Sequence, residues 1–252
     1  LVCMVWRDSE GEVQLSQQNY VEHCLRENSM VDLESRRTLP VLEEQIPPED
    51  RSSPDYEPSK KLCQKYIGQL MWLTTRTRPD IAAVLGILAS SMVLVPTRVL
   101  ECLRGLWAFM KFTKHSCIGT FLPSGVPQPL ALHIYTDASY GCGGNRGRTG
   151  VALFLRQENT GLECLVQWCS RKQGAVATSA PEAELGALAE GASIGIFLHR
   201  VLVSSSVVVS PSPVQKIIET SDSAVSLRQV AGSTCAAMRS KPFALKLSYL
   251  RD

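Results

Sequence analysis

Charge of one sign is what this chain most plainly lacks: 26 Lys and Arg stand against 24 Asp and Glu over 252 residues, a formal net charge of +2. That balance excludes binding to nucleic acid or a membrane surface through a global basic field, so any such surface must be local. Long apolar runs are also missing. The most apolar stretch, Ile81 to Val95, carries Ser90 and Ser91 and ends at Pro96, short of the roughly 20 residues a membrane span needs; it reads as a buried helix, and no membrane partner is expected. Nine cysteines, at 3, 24, 63, 102, 117, 142, 164, 169 and 235, form no Cys-x-x-Cys pair and have no nearby His at metal spacing, which excludes the common zinc arrangements. Reduced thiols in an intracellular protein are the economical reading. Cys164 and Cys169 fall in a predicted strand, where their odd separation should turn them to opposite faces. The chain starts at Leu1 without an initiator Met or a targeting segment, as a piece of a longer polypeptide would.

What is present divides near residues 120–130. Two short strands, Leu1 to Trp6 and Val13 to Leu15, flank a turn at Asp8-Ser9-Glu10-Gly11, and a helix follows from about Gln17 to Glu27. Residues 35–61 hold Pro40, Pro47, Pro48, Pro54 and Pro58 among many charges, the composition of an irregular loop over the surface. Helices are expected at Cys63 to Leu73, Pro79 to Met92 and Thr97 to Thr113. In the last of these, Val99, Leu103, Leu106, Trp107 and Met110 share one face and read as core. Pro123, Gly125, Pro127 and Pro129 mark a linker over 121–130. Beyond it, strands are predicted at about 131–136, 149–156 and 162–169, then a helix at about 181–203, a strand at about 214–220 and a short helix from Asp222. Antiparallel hairpins followed by a helix and a parallel strand make an α/β layer with the helix crossing the sheet.

Three carboxylates stand in settings that suit two-metal phosphodiester chemistry. Asp137 ends the apolar run Leu132-His133-Ile134-Tyr135-Thr136, Asp222 ends Lys216-Ile217-Ile218-Glu219-Thr220-Ser221, and Glu184 lies in the opening turns of a helical segment. In the layer above, strands ending at Asp137 and Asp222 can run side by side and Glu184 can face them. In-line hydrolysis needs an activated water and a stabilised leaving oxygen, which two divalent ions about 4 Å apart provide, and hard oxygen ligands hold such ions. Glu182 has a plainer reading, since Ser179-x-x-Glu182 is a capping-box pattern.

The words around these residues resemble the ribonuclease H domain of copia-type long-terminal-repeat retrotransposon polyproteins. They are Tyr135-Thr136-Asp137-Ala138-Ser139, Arg148-Thr149-Gly150, Gln167-Trp168-Cys169-Ser170-Arg171-Lys172-Gln173, Ser179-Ala180-Pro181-Glu182-Ala183-Glu184-Leu185 and Ser221-Asp222-Ser223-Ala224. Earlier residues resemble the end of the same family's reverse transcriptase: Leu15-Ser16-Gln17-Gln18-Asn19-Tyr20-Val21, Tyr66-Ile67-Gly68-Gln69-Leu70-Met71-Trp72-Leu73-Thr74 and Thr77-Arg78-Pro79-Asp80-Ile81. The resemblance implies residues 1–120 as a mainly helical, thumb- or connection-like region with an N-terminal hairpin. It implies 131–252 as a ribonuclease-H-like mixed sheet with a crossing helix, incomplete at its C-terminus. It further implies cleavage of the RNA strand of RNA/DNA hybrids with two Mg²⁺ or Mn²⁺ ions held by Asp137, Glu184 and Asp222. Arg146, Arg148, Arg171 and Lys172 become candidate phosphate contacts, which fix register without reading sequence. Its other implied partners are the rest of the polyprotein, namely polymerase fingers and palm and integrase, in a cytoplasmic virus-like particle or the nucleus.

Three departures qualify that picture. No Asp-Asp pair occurs anywhere in the chain, so the family's polymerase centre is not in this piece. The family's fourth carboxylate should fall beyond Asp252. In Lys241-Pro242-Phe243-Ala244-Leu245-Lys246-Leu247-Ser248, two histidines and an acid of the family pattern are replaced by Pro242, Ser248 and Ala244. A weak or inactive nuclease is therefore expected of this fragment, and the alternative is a degenerate, non-catalytic copy that binds nucleic acid or serves as a scaffold.

Overall fold

The computed structural model describes residues 3–9, 12–42, 46–120, 129–141, 146–204 and 214–221. The chain falls into two compact units, Leu1–Gly119 and Thr120–Asp252. Asp222, the short helix expected from it, residues 241–251 and most of the 121–130 linker lie outside the described residues.

In the first unit, β1 (Met4–Arg7) and β2 (Val13–Ser16) pair antiparallel, with Met4 opposite Ser16, and β3 (Ile118–Thr120) adds to β2. Asp8 closes the hairpin by accepting from the Glu12 amide at 2.9 Å and from Gln14 Nε2 at 2.8 Å. Four helices follow: α1 (Gln18–Glu27), α2 (Tyr56–Thr74), α3 (Ala82–Ser91), which continues a 3-10 turn at Pro79–Ile81, and α4 (Pro96–Phe112). Their apolar stripes meet in one core around Leu70, Leu73, Leu85, Leu103, Leu106 and the fully buried Trp107. The stripe expected on α4 is buried as read.

Helix α2 starts seven residues before Cys63, where the sequence suggested a loop. Tyr56 and Ser59 are buried and the Tyr56 hydroxyl donates to the Val93 carbonyl at 2.7 Å, so tertiary contact carries the helix back through a proline-containing turn that propensity alone would end. The rest of the 35–61 stretch has no regular structure where it is described, apart from turns. It is nonetheless tied down. The Arg36 amide donates to Ala108 O at 3.1 Å. Glu49 accepts from the backbone amides of Thr97 and Arg98 at 3.0 and 3.3 Å and from the Thr97 hydroxyl, which caps α4 with a carboxylate at the positive end of its dipole.

The second unit is a four-stranded sheet of order β6-β5-β4-β7 with one helix across it. Its strands are β4 (Leu130–Ser139), β5 (Arg148–Gln157), β6 (Glu163–Lys172) and β7 (Val214–Ser221), and the helix is α5 (Ala180–Ser204). β4–β5 and β5–β6 are antiparallel, while β7 runs parallel to β4. Alternation along β4 buries Leu130, Leu132, Ile134 and Thr136. The three apolar ones pack with Val151 and Leu153 against Ile194, Leu198 and Leu202 of α5, each fully buried side chain contributing about 1.5–3 kcal/mol. On the other face Tyr135 meets Phe154 edge-on at 5.6 Å. This is the ribonuclease-H-like mixed sheet with a crossing helix.

By length and composition α5 could cross a membrane, but in this fold its apolar side contacts β4, β5 and β7. One local expectation is corrected. Cys164 pairs with Leu155 and Cys169 with Val151, because a register shift after Leu153 inserts an extra residue in β6. The two cysteines therefore share the helix-facing side instead of opposing each other, which is what one added residue does to a period of two.

Candidate active site

Asp137 sits two residues from the end of β4, paired with Gly150, and is exposed. β4 delivers it there because Leu132, Ile134 and Thr136 are committed to the helix side, which turns Asp137 to the other face. Thr136 is opposite Ser221, the last residue of β7. In the sequence, Asp137 and Asp222 are the next residue of each chain segment. The third predicted carboxylate lies outside the described residues, and among the described residues no three His, Cys, Asp or Glu side chains gather as a metal site.

Glu184 reaches β4 from the opening of α5. Its Oε1 accepts a hydrogen bond from the Ala138 amide at 3.3 Å, so its carboxylate is anchored one residue past Asp137. The start of the helix explains the aim. Ser179 Oγ accepts from the Glu182 amide at 3.3 Å, and Glu182 Oε2 accepts from the Thr178 amide and hydroxyl, each at 2.7 Å. That is the expected capping box, with the glutamate reaching one residue further back, and such a cap is worth about 1 kcal/mol. With Glu182 buried in the cap, Glu184 is left to face the strand. Asp137 and Glu184 are hard oxygen donors, a set that suits a divalent cation such as Mg²⁺ or Mn²⁺ and not a soft metal.

The four candidate cations separate by face. Arg148 is paired with both Ser139 and Lys172, two residues along from the Asp137–Gly150–Ser170 row, so Arg148 and Lys172 lie on the same face as Asp137. Arg148 is half-buried; burial lowers its guanidinium pKa from the ordinary value, and its Nη2 donates to Ser170 O at 3.5 Å. Arg171 lies on the other, helix side. Its guanidinium is ion-paired with Glu190 of α5, a hydrogen bond that raises its pKa. Arg146 is exposed. The face that carries Asp137 thus holds Arg148 and Lys172, whereas Arg171 is engaged in joining sheet to helix.

Two features escaped the sequence reading. Gln173 is buried and hydrogen-bonded between β5 and α5. Beside it, Gly147 could not carry a side chain, since a Cβ there would lie 2.1 Å from Ser139 O. The second feature belongs to the first unit. Lys61, Gln64, Lys65, Gly68 and Trp72 are exposed along one stripe of α2, the complement of buried Cys63, Tyr66, Leu70 and Leu73. Arg76, just past the helix, stacks on Trp72 at 4.8 Å, Lys65 pairs with Glu27 at 2.9 Å, and nothing lies within 4 Å of a Cβ added at Gly68.

No family model matches the chain, and no curated protein matches it. Among solved structures it is similar to LC11-RNase H1, isolated from compost by a metagenomic approach, at 21% sequence identity and a TM-score of 0.30, over 48% of this chain and 75% of that one. A likeness of that size carries nothing about chemistry, and the fold stated above rests on this chain's own strand order and register.

Proposed function

We propose that the second unit is the ribonuclease H part of a copia-type retrotransposon polyprotein, which hydrolyses the RNA strand of RNA/DNA hybrids in its complete parent. The observation that carries this reading is that Glu184 and the strand positions of Asp137 and Ser221 meet at the end of β4. Glu184 is anchored to the amide that follows Asp137, and β7 brings Ser221, the residue before Asp222, level with Thr136. In this reading Asp137, Glu184 and Asp222 hold two Mg²⁺ or Mn²⁺ ions. Such ions supply activation of the attacking water and neutralisation of charge on the leaving oxygen.

The chain's own residues do the rest. The capping box and the Ala138 amide fix Glu184. Arg148 and Lys172 meet backbone phosphates on the Asp137 face, a contact that positions without reading sequence. Hybrid is distinguished by groove shape and ribose 2′-hydroxyls. The exposed stripe of α2 gives the first unit a surface for a template–primer duplex: cations at one-turn spacing, a glycine that lets a backbone approach, and a Trp–Arg stack. The polymerase and integrase partners, and the intracellular setting, follow from the same resemblance.

The second reading, a non-catalytic module that binds hybrid, is favoured by Pro242, Ala244 and Ser248, which replace the family's histidines and acid. Cleavage of a labelled RNA/DNA hybrid in Mg²⁺ and in Mn²⁺, by this chain and by a form continued past Asp252, separates the two. Cutting by the longer form that disappears in Asp137→Asn supports the nuclease. A longer form that folds and binds hybrid without cutting supports the binding module.

A further inference from the structure

Glu184 is anchored at its carboxylate by Ala138, and the structure shows a second tether on its main chain. Gln173, the first residue after β6, is 7% exposed. Its Nε2 donates to the Ala183 carbonyl at 2.8 Å and to Thr149 Oγ1 at 3.1 Å, and its amide donates to Gly147 O at 2.9 Å. The Ala183 carbonyl carbon is bonded to the Glu184 nitrogen. Gln173 thereby ties the start of β5 and the end of β6 to the peptide that carries Glu184. The Ser179–Glu182 cap holds the helix start on its own axis, while the Gln173 side chain reaches the backbone of the first turns of α5 from the end of the sheet.

We infer that Gln173 is a positioning residue for the divalent-ion site: its amide group sets where the Glu184 carboxylate stands relative to Asp137. This rests on the carboxylate-site reading above and deepens it. A ligand carboxylate must be held to within about 0.5 Å to keep a small hard cation in geometry. Groups that orient ligands through such contacts change metal affinity about 10- to 100-fold when removed. A buried amide that served only to satisfy polar atoms would change stability instead.

The test compares Gln173→Met, which keeps length and loses both side-chain donations, with Gln157→Met, the same change at a buried glutamine at the far end of β5 whose side chain accepts from Thr160 at 2.8 Å. Gln173→Glu is the second variant, since a carboxylate there can accept from the Thr149 hydroxyl, reversing that bond, yet cannot donate to Ala183, and it serves if Gln173→Met fails to fold. Two readouts are taken on the whole chain: Mn²⁺ affinity by calorimetry, and the exchange rate of the Ala138 amide, which Glu184 protects and which needs no metal. The expected result is at least about a tenfold loss of Mn²⁺ affinity and clearly faster Ala138 exchange in both Gln173 variants. Both quantities should stay at wild-type values in Gln157→Met even where its melting temperature falls. Ala138 exchange unchanged in the Gln173 variants overturns the inference. Mn²⁺ affinity lost in Glu184→Gln but retained in the Gln173 variants overturns the positioning role alone. Mn²⁺ affinity retained in Glu184→Gln overturns the carboxylate-site reading and this inference with it.

Discussion

The amide of Ala138 on β4 and the carboxylate of Glu184 on α5 are joined by a hydrogen bond of 3.3 Å, which sets a helix carboxylate beside the strand position of Asp137. Carboxylates brought together repel one another, and sites built that way trade stability for function. Asp137→Asn and Glu184→Gln should each lower hybrid cleavage by the parent at least about 100-fold, equivalent to about 2.7 kcal/mol in the transition state. In EDTA their melting temperatures should equal or slightly exceed that of the unsubstituted chain. A fall of several degrees would mark the pair as structural.

Gly68 separates stability from binding on α2. Because a Cβ there meets nothing within 4 Å, Gly68→Ala should stabilise the chain by about 0.5–1 kcal/mol through helix propensity, measured by urea denaturation. Gly68→Leu should fold as well, yet weaken binding of a template–primer duplex several-fold in a fluorescence-anisotropy titration. Equal affinity for the two variants would remove the α2 stripe from the binding surface.

Much of this was legible in the sequence, for physical reasons that differ by element. β4 was readable because Leu132, Ile134 and Thr136 alternate with Tyr135 and Asp137, and the capping box because Ser179 and Glu182 have one strong local use. Helix α2 was read short because its first turns depend on Tyr56 reaching Val93, a contact 37 residues away in the sequence. The bulge in β6 left no local mark, so the shared face of Cys164 and Cys169 was hidden. Gln173 carries no periodic signal, and only its two partners, 24 residues before it and 10 after, reveal what it does.

Arg78 in Thr77-Arg78-Pro79-Asp80 is a structural clamp of the first unit. Its side chain is 4% exposed and forks onto Asp80 at 2.9 and 2.7 Å, with further donations to Thr113 O at 3.2 Å and Oγ1 at 2.6 Å. Arg78→Met should destabilise the chain by about 2–3 kcal/mol, since the hydrogen bonds of a buried charged group to Asp80 and Thr113 are lost. Arg78→Lys should not restore it, because an ammonium cannot reproduce the planar fork. Full stability of the Lys variant in urea melts would contradict that geometry.

Burial raises the thiols of Cys63 and Cys169 to about 11 from the ordinary 9.0, with nearby Glu49 and Glu190 adding to the effect. Raised folded-state values mean that the stability linked to them is complete below pH 9 and is lost as pH rises from 9 through 11. Denaturation midpoints should therefore decline over that window, and Cys63→Ala and Cys169→Ala should each flatten the decline. Alkylation followed by mass spectrometry at pH 8 should label exposed Cys117 well before either.

The most direct measurement is anomalous diffraction from crystals of the chain soaked in Mn²⁺. A divalent-ion site predicts an anomalous peak about 2.1 Å from carboxylate oxygens of both Asp137 and Glu184, absent from Asp137→Asn crystals grown the same way. Crystals in which both side chains are ordered and no manganese lies between them would contradict the account.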